Sequence, residues 1–281
     1  MTRREFIRLK ARGKKWTMLT AYDAPTAELL EQAGIDLILV GDSLGMVVLG
    51  YPSTLPVTMD EMIHHARAVR RGAKKAFVIG DMPFEGLKNG PRQALESAKR
   101  FMREAGCNAV KLEWNARGLE TARLLIRHRI PVMGHIGLAP QTAFQRGVFR
   151  AQGQDAEDGW KILENARMLE REGAFSLVLE CVTAPVAKAI TQEVRIPAIG
   201  IGSGPFCDGQ VLVFHDLTGI YKKLAPRFVK PYADLDDVMA RAVRRYRRDV
   251  TTGRFPQRKH SFGMKKEELE KFIQRIKTDE R

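Results

Sequence analysis

The sequence predicts an α/β protein with a (β/α)8 barrel, a closed ring of eight parallel strands, followed by a helical C-terminal extension. Three observations lead to this prediction. The chain has 281 residues, close to the roughly 250 residues typical of such barrels. Short apolar runs recur along it, and several end in Gly, Asp, Glu or His, as expected for buried parallel strands. Between most runs, apolar residues spaced three and four positions apart predict helices.

The predicted strands follow one another from near the N-terminus to the start of the last quarter of the chain. In order they are TMLTAY, DLILVGD, AFVIGD, AVKLE, IPVMGHIG, SLVLE, IPAIGIG and VLVFHD. The clearest intervening helices are APTAELLEQAG, RQALESAKRFMREAG and GWKILENARMLEREG. The last two close on Gly after a charged turn, as helix C-termini do. Eight alternating units favour a closed barrel over a doubly wound sheet.

The pattern changes near the C-terminus. The stretch LDDVMARAVRRYRRDV predicts an amphipathic helix, and MKKEELEKFIQRIKTDER predicts a second helix with one thin apolar stripe. Such a stripe usually packs on the parent domain or on another subunit. We therefore expect residues 1–262 to form one barrel domain that includes the first of these helices, and residues 263–281 to form a basic helical tail.

The positive charge of the chain is concentrated at this end. The net charge is +14, and residues 241–281 contain 14 Lys and Arg against 6 Asp and Glu, a balance of 14 − 6 = +8. A basic tail can bind nucleic acid, form a solvated helix face, or attract an anionic substrate. The chain shows no aromatic RNA-binding signature and no helix-turn-helix pattern. Nucleic acid is therefore not the expected partner.

Cysteine usage and hydropathy indicate the compartment. Cys107, Cys181 and Cys207 are far apart, form no CxxC pair and are odd in number, which suits a reducing cytoplasm. No apolar run approaches the roughly 20 residues that a transmembrane helix needs. The charged N-terminus is followed by no apolar run, so a secretory signal is not expected. We expect a cytoplasmic protein without a membrane partner.

Ionisable residues stand at the ends of five predicted strands. They are Asp42, Asp81, Lys111, Glu113, His135 and Glu180. The C-terminal ends of barrel strands carry the chemistry in this fold, and a charge after a buried strand is costly unless it is paired or binds a metal. Three of these residues are hard oxygen donors on successive strands, without cysteine, which points to Mg²⁺ or a similar cation. A lysine two residues from one of them can stabilise a developing oxyanion.

Other interpretations of these residues are open. A single Asp after a strand is often the N-cap of the next helix, which applies to Asp42 and Asp81. A single His, such as His135, is commonly a core or loop residue. The glycine-rich IGIGSG lacks the full spacing of a dinucleotide-binding loop. The six residues together favour a functional site, but the pattern by itself does not name a reaction.

Longer motifs resemble one enzyme family. They include TAYDAPTA, GDSLGMVVLGYPSTLPVTMDEM, GDMPF, AVKLE, PVMGHIGLAPQ, VLECV and IPAIGIGSGPFCDGQVLVFHDLTG. From about residue 15 to about residue 262 the chain closely resembles the ketopantoate hydroxymethyltransferases, of the phosphoenolpyruvate/pyruvate barrel superfamily. The block from GDSLGMV to STLPVT is the most specific of these motifs.

The resemblance implies a reaction and a set of roles. Family members transfer a hydroxymethyl group from 5,10-methylenetetrahydrofolate to 3-methyl-2-oxobutanoate, giving 2-dehydropantoate for pantothenate biosynthesis, through an enolate held on Mg²⁺. By matching motifs, Asp42, Asp81 and Glu113 are the metal ligands. The residues that contact the oxo acid are Asp42, Ser43, Asp81 and Lys111, with Glu180 as the proton acceptor and His135 as the site histidine. The family's homo-oligomers, decamers among them, suggest that this chain is a homo-oligomer.

Two rival functions remain open at this stage. Another enzyme of the same superfamily, such as a carbon–carbon lyase, would also use a Mg²⁺-bound 2-oxo acid, but the chain lacks the cysteine motif expected in a loop after a strand. A nucleic-acid-binding protein would use residues 241–281. Ala139, Trp114 and the stretch IGSGPFC depart from the family's usual residues and lie beside the predicted site, where they bear on the folate donor.

Overall fold

The computed structural model describes residues 1–114, 117–139, 141, 150–223 and 226–279. Eight parallel strands pair in sequence order, and the last closes on the first, which confirms the predicted barrel. The strands, numbered β1 to β8, are Trp16–Thr20, Leu37–Val40, Phe77–Asp81, Ala109–Glu113, Val132–Gly137, Ser176–Glu180, Ala198–Ile201 and Gly209–Leu212.

Helices alternate with most of these strands. In the described part of the chain they are α1 Arg3–Ala11, α2 Ala24–Gln32, α3 Leu44–Val47, α4 Met59–Gly72, α5 Phe84–Leu87, α6 Pro91–Arg103, α7 Gly118–Arg127, α8 Ala156–Glu172, α9 Ala184–Glu193, α10 Phe214–Thr218, α11 Leu235–Thr251 and α12 Lys266–Asp279. Some of the longer ones begin with a side-chain cap. The side chain of Thr58 caps α4 in a capping box with Glu61, and Asp155 caps α8.

The last barrel unit differs from the prediction. The run VLVFHD was expected to be a strand, but the strand begins earlier, at Gly209, and ends at Leu212. The next residues form α10, which begins at Phe214 and places His215 and Asp216 on a short helix. The apolar run therefore spans a strand end and a helix start, and hydrophobicity alone does not separate the two.

Side chains alternate between the barrel interior and the surrounding helices. Alternate residues of the strands, among them Met18, Ile79, Ala109, Met133 and Val178, pack together in one buried cluster inside the ring. Because successive side chains of a strand point to opposite faces, the residues two positions further along share this interior. The interior is thus lined by apolar side chains along most of the strands and by ionisable side chains at their C-terminal ends.

Helix α1 closes the opposite end of the barrel. The Phe6 ring is buried and lies 4.8 Å from the ring of Trp16, 5.4 Å from that of Phe77 and 4.8 Å from that of Phe175, centroid to centroid. These three partners stand at or just before the starts of β1, β3 and β6. The Lys10 ammonium, 2.8 Å from Asp208, also donates to three backbone carbonyls near the start of β7. The N-terminal face is therefore sealed by an aromatic cluster.

Two glycines allow helices to approach the strands that carry the site. A Cβ atom added to Gly80, immediately before Asp81, would lie 2.3 Å from the Phe101 ring of α6. One added to Gly134, immediately before His135, would lie 2.6 Å from Leu169 of α8. Only glycine permits such contact. These glycines allow α6 and α8 to pack closely against the strands that carry two residues of the predicted site.

The chain divides into two compact units, Met1–Ala233 and Asp234–Arg281. The first contains the whole barrel, and the second contains α11, a 3₁₀ turn at Arg258–His260, and α12. This division groups α11 with the tail, whereas the expected boundary after residue 262 grouped it with the barrel; the single domain 1–262 stays a prediction. Within the residues described, no helix has the length and apolar character of a membrane span.

Candidate functional site

The predicted site residues lie at the C-terminal mouth of the barrel, on neighbouring strands. The strand register pairs Asp81 with Lys111, Glu113 with His135, and Gly137 with Glu180. The backbone ladder continues past the strand ends, where the N–H of Met82 donates to the carbonyl of Lys111 and that of Trp114 to the carbonyl of His135. Continuous backbone pairing therefore holds the strand ends, and the side chains on them, in fixed register.

Asp42, Asp81 and Lys111 form the first group of contacts. The Lys111 ammonium lies 2.5 Å from Oδ1 of Asp81, and both side chains are almost completely buried. The other carboxylate oxygen of Asp81 accepts a hydrogen bond of 3.2 Å from the backbone N–H of Asp42. Asp42 follows β2 across Gly41 and is itself buried. The structure thus brings together the lysine and the two aspartates that the sequence indicates.

Glu113, His135 and Glu180 form the second group. The His135 ring stands between the two glutamates, with Nε2 3.1 Å from Oε2 of Glu180 and Nδ1 3.9 Å from Oε2 of Glu113. His135 is 1% exposed, and neither ring nitrogen has a hydrogen-bond partner among the described residues. The short distance to Glu180 therefore lacks hydrogen-bond alignment. Glu180 is the more exposed member of the pair, as expected for a group that meets a substrate.

Burial shifts the pKa values of Asp42, Glu113 and Lys111 at this site. Burial, followed by the neighbouring charge of Asp81, raises the pKa of Asp42 to about 7. Burial is also the main reason that the pKa of Glu113 lies well above its ordinary value. For Lys111 burial lowers the pKa, but the charges of Asp81, Asp42 and Glu113 outweigh it and raise the pKa overall. Lys111 is therefore a permanent cation, whereas the carboxyl groups of Asp42 and Glu113 resist ionisation.

The chemistry of the donor set fits a hard divalent cation. Buried carboxyl groups outnumber the one buried ammonium, so they either take up protons or require a further cation. Mg²⁺ is commonly held by one or two carboxylates together with water and substrate oxygens, a role that Asp42 and Asp81 suit. Among the described residues, no three His, Cys, Asp or Glu side chains form a ready-made metal cluster. The predicted ligand set that adds Glu113 to the two aspartates stays a prediction.

The two aspartates are not helix caps, so that alternative is wrong. The N-cap of α3 is Ser43, and the N-cap of α5 is Pro83; neither helix has a side-chain cap. The carboxylates of Asp42 and Asp81 instead contact site residues. Ser43 lies next to Asp42, and its hydroxyl is bound to Tyr22 rather than to the charged groups.

Two buried residues at the site were not predicted. The amide nitrogen of Gln141 donates to Oδ2 of Asp42 over 2.9 Å and to the carbonyl of Met82 over 3.2 Å. Tyr22, just after β1, contacts Ser43 over 2.9 Å. A glutamine in the motif GLAPQ and a tyrosine in TAYDAPTA offer no periodic signal, because each acts through its tertiary position. Their presence inside family motifs was the only available indication.

Comparison with known proteins places the chain in a family. Residues 1–258 match the sequence profile of the family described as ketopantoate hydroxymethyltransferase. The chain is 50% identical over 263 residues to a 3-methyl-2-oxobutanoate hydroxymethyltransferase of Carboxydothermus hydrogenoformans, covering 94% of this chain and 95% of the relative. It is 48% identical to the protein of that name from Syntrophomonas wolfei, covering 93% and 95%.

Solved structures share the fold at low sequence identity. One is 2,3-dimethylmalate lyase, a member of the PEP mutase/isocitrate lyase superfamily, with a TM-score of 0.59, 16% identity and coverage of 99% of this chain and 98% of that one. Another is phosphonopyruvate hydrolase, with a TM-score of 0.59, 14% identity and coverage of 99% and 98%. The sequence match along nearly the whole length is decisive: the chain is a transferase enzyme that belongs to the ketopantoate hydroxymethyltransferase family.

Proposed function

We propose that this enzyme transfers a hydroxymethyl group from 5,10-methylenetetrahydrofolate to 3-methyl-2-oxobutanoate and produces 2-dehydropantoate, in pantothenate biosynthesis. The observation that carries the proposal is the position of Glu180, which lies 3.1 Å from His135 at the barrel mouth that also holds the buried ammonium of Lys111 and buried carboxyl groups. This arrangement suits removal of a proton next to a carbonyl and stabilisation of the negative charge that follows. Family membership supplies the identity of the oxo acid.

Glu180 acts as the general base. It takes the hydrogen from C3 of the oxo acid, and the electron pair of the C–H bond moves toward the keto oxygen to give an enolate. The Lys111 ammonium provides a fixed positive charge for that oxygen, and its burial strengthens the interaction. Water adds to the one-carbon unit of the folate, which breaks away from the folate nitrogens as formaldehyde and leaves tetrahydrofolate. The enolate carbon then bonds to the formaldehyde carbon, and the formaldehyde oxygen takes up a proton to become the hydroxyl group.

His135 supports Glu180 in this proposal. Its ring fills the space between the carboxylates of Glu113 and Glu180 and has a nitrogen 3.1 Å from the latter. A small rotation of either side chain would align a hydrogen bond, since the distance already lies in the normal range. His135 would then orient the base and exchange a proton with it after the first step. This is the catalytic role we assign to His135.

The cofactor in this proposal is Mg²⁺. Asp42 and Asp81 would hold it, with Glu113 as a third carboxylate, directly or through water. When bound, the ion polarises the oxo acid and offsets the carboxylate charge. The excess of buried carboxyl groups over ammonium groups supports this assignment.

The test is deuterium exchange at C3 of 3-methyl-2-oxobutanoate, followed by NMR in D₂O with and without Mg²⁺ and without folate. Exchange should require Mg²⁺, and Glu180→Gln should slow it by at least about 100-fold, the usual contribution of a positioned base. The matched control is Glu157→Gln, on the exposed face of α8, where Glu157 pairs only with Lys161 among the described residues. It should exchange at the normal rate. Near-normal exchange in folded Glu180→Gln would remove Glu180 as the base.

The donor and the assembly are separate parts of the proposal. Addition of 5,10-methylenetetrahydrofolate should convert exchange into net formation of 2-dehydropantoate, and its replacement by tetrahydrofolate with no one-carbon unit should abolish product but not exchange. We also propose a cytoplasmic homo-oligomer, with a decamer as the form suggested by the family. Light scattering coupled to gel filtration gives the subunit number, and a monomeric mass at micromolar concentration would contradict the oligomer.

A further inference from the structure

We propose that Tyr22 is a positioning residue for the oxo-acid subsite: its hydroxyl donates to Ser43 and so turns the hydrogen of the Ser43 hydroxyl toward the substrate. The inference rests on the proposed function and deepens it. It adds a residue outside the set at the strand ends, and it assigns a direction to the hydrogen bond between Tyr22 and Ser43.

The hydroxyl of Ser43 is not used by the helix that it begins. A serine at an N-cap usually accepts a hydrogen bond from a backbone N–H of the first turn. Ser43 occupies the N-cap position of α3 in a helical conformation, with φ −52° and ψ −19°, and makes no such bond. Its Oγ lies 2.9 Å from the Tyr22 hydroxyl instead. The Tyr22 contact therefore decides where the Ser43 hydrogen points.

Tyr22 is itself held firmly. The side chain is 2% exposed, and its ring lies 5.4 Å from the ring of His215 on α10. Its carbonyl is 2.7 Å from Nδ1 of His65 on α4, and the N–H of the preceding Ala21 donates to Leu39 of β2. Burial raises the pKa of Tyr22 well above its ordinary value, against the smaller opposing effect of its hydrogen bond with Ser43. The phenol thus stays protonated and has a hydrogen to donate.

The direction of the contact follows from what each hydroxyl can do. In the contact between them, Tyr22 and Ser43 can each donate or accept. A protonated phenol has one hydrogen, and Oγ of Ser43 is the hydrogen-bond partner of the Tyr22 hydroxyl among the described residues. When Tyr22 donates to Ser43, the hydrogen of the Ser43 hydroxyl is available for another acceptor.

The substrate requires this direction. The carboxylate and keto oxygens of a 2-oxo acid only accept hydrogen bonds, so Ser43 has to donate to them. A serine hydroxyl has one hydrogen, and it can donate to the substrate only if its contact with Tyr22 is one in which it accepts. Without the tyrosine hydroxyl, the Ser43 side chain can rotate to another acceptor. The loss would appear in binding of the oxo acid more than in the chemical step.

The test is a double-mutant cycle on Tyr22→Phe and Ser43→Ala. Calorimetric affinity for 3-methyl-2-oxobutanoate with Mg²⁺, and the KM and kcat of C3 exchange, are measured for the four proteins. Because hydrogen bonds to charged groups are among the stronger ones, we expect a KM increase of roughly tenfold for Ser43→Ala and roughly fivefold for Tyr22→Phe. The kcat of Tyr22→Phe should stay within about twofold of normal, and the double variant should resemble Ser43→Ala by itself, since the two effects share one bond.

A matched control separates positioning from general loss of a hydrogen-bonded tyrosine hydroxyl. Tyr51→Phe removes a hydroxyl that donates to Glu61 over 2.5 Å, and Tyr51 is half-buried on the connection between β2 and α4. Its affinity for the oxo acid should be unchanged. Tyr22→Met, which also lacks the hydroxyl, is the second variant if Tyr22→Phe fails to fold, and it should weaken affinity in the same direction.

The outcomes distinguish this inference from the proposed function. If the unaltered protein neither binds nor exchanges the oxo acid, the proposed function fails and the Tyr22 role fails with it. If the unaltered protein is active but the effects of Tyr22→Phe and Ser43→Ala multiply, or if Tyr22→Phe behaves like Tyr51→Phe, only the Tyr22 role is overturned.

Discussion

Among single residues, Asp42 has the most consequential environment. Its carboxyl group is buried and lies close to Asp81, and these two influences raise its pKa to about 7. The amide of Gln141 and the charge of Lys111 act in the opposite direction but do not cancel them. A ligand that must ionise before it binds a cation makes metal affinity a function of pH close to neutrality.

We predict a pH-dependent stabilisation by Mg²⁺. The carboxyl group of Asp42 ionises near pH 3.8 in an unfolded chain and near pH 7 in the folded one. The folded protein therefore binds the extra proton between these values, so without metal the contribution of Asp42 to stability falls as the pH rises through this interval. Mg²⁺ competes with that proton. The stabilisation of the folded protein by Mg²⁺ should be small at pH 5. The affinity for Mg²⁺ should increase by up to about tenfold per pH unit toward pH 7, and the stabilisation should increase with it.

The measurement is the midpoint of thermal unfolding, Tm, with and without Mg²⁺ from pH 5 to pH 8.5. Asp42→Asn is the reference variant, because an amide neither ionises nor competes for a proton. Its Tm should respond weakly to Mg²⁺ at every pH. An equal rise of Tm with Mg²⁺ at pH 5 and pH 8 in the unaltered protein would contradict the role of Asp42.

Among the structural elements, α1 contributes stability far from the chemistry. Phe6→Ala removes the ring at the centre of the cluster with Trp16, Phe77 and Phe175. We expect the free energy of unfolding, from urea titration, to fall by about 3–5 kcal/mol. Affinity of the folded protein for the oxo acid should not change, since the site lies at the opposite end of the strands.

Phe206→Ala is the comparison for this prediction. Phe206 is 46% exposed, and its ring makes a cation–π contact with Lys188. Removal of this ring should lower the free energy of unfolding by less than about 1 kcal/mol. Equal losses for the two phenylalanines would mean that α1 does not seal the barrel.

The elements also indicate what could be predicted from sequence. Strands such as AVKLE and SLVLE were predictable because short, mainly apolar runs that end in an ionisable residue have few alternative structures in this fold. The positions of Asp81, Lys111 and Glu180 at one mouth followed from parallel pairing. The bond between Lys111 and Asp81, and the contacts of Gln141 and Tyr22, were not predictable, because they depend on loop paths and side-chain orientation. The helix at Phe214–Thr218 was missed because its apolar residues continue those of β8.

For the molecule as a whole, charge distribution governs weak associations. The excess of +8 in residues 241–281 lies in the second compact unit. A labelled single-stranded oligonucleotide should bind weakly at about 50 mM salt and not measurably at about 200 mM, since diffuse phosphate contacts are lost steeply with salt. Fluorescence anisotropy measures this. Tight binding at the higher salt concentration that disappears on removal of residues 241–281 would restore the nucleic-acid hypothesis.

The ion pair between Lys111 and Asp81 has a consequence for how the enzyme is produced in a cell. A cluster of buried acids normally obstructs folding until a metal arrives, because like charges repel inside the protein. Here the Lys111 ammonium, 2.5 Å from the carboxylate of Asp81, already supplies an internal counter-charge. Protonation removes the negative charge of Asp42 and Glu113, whose pKa values are raised. With Mg²⁺ as the proposed cofactor, the newly made chain can thus complete its barrel first and acquire the ion afterwards. Scarcity of magnesium would then reduce catalytic output while leaving the amount of folded enzyme unchanged.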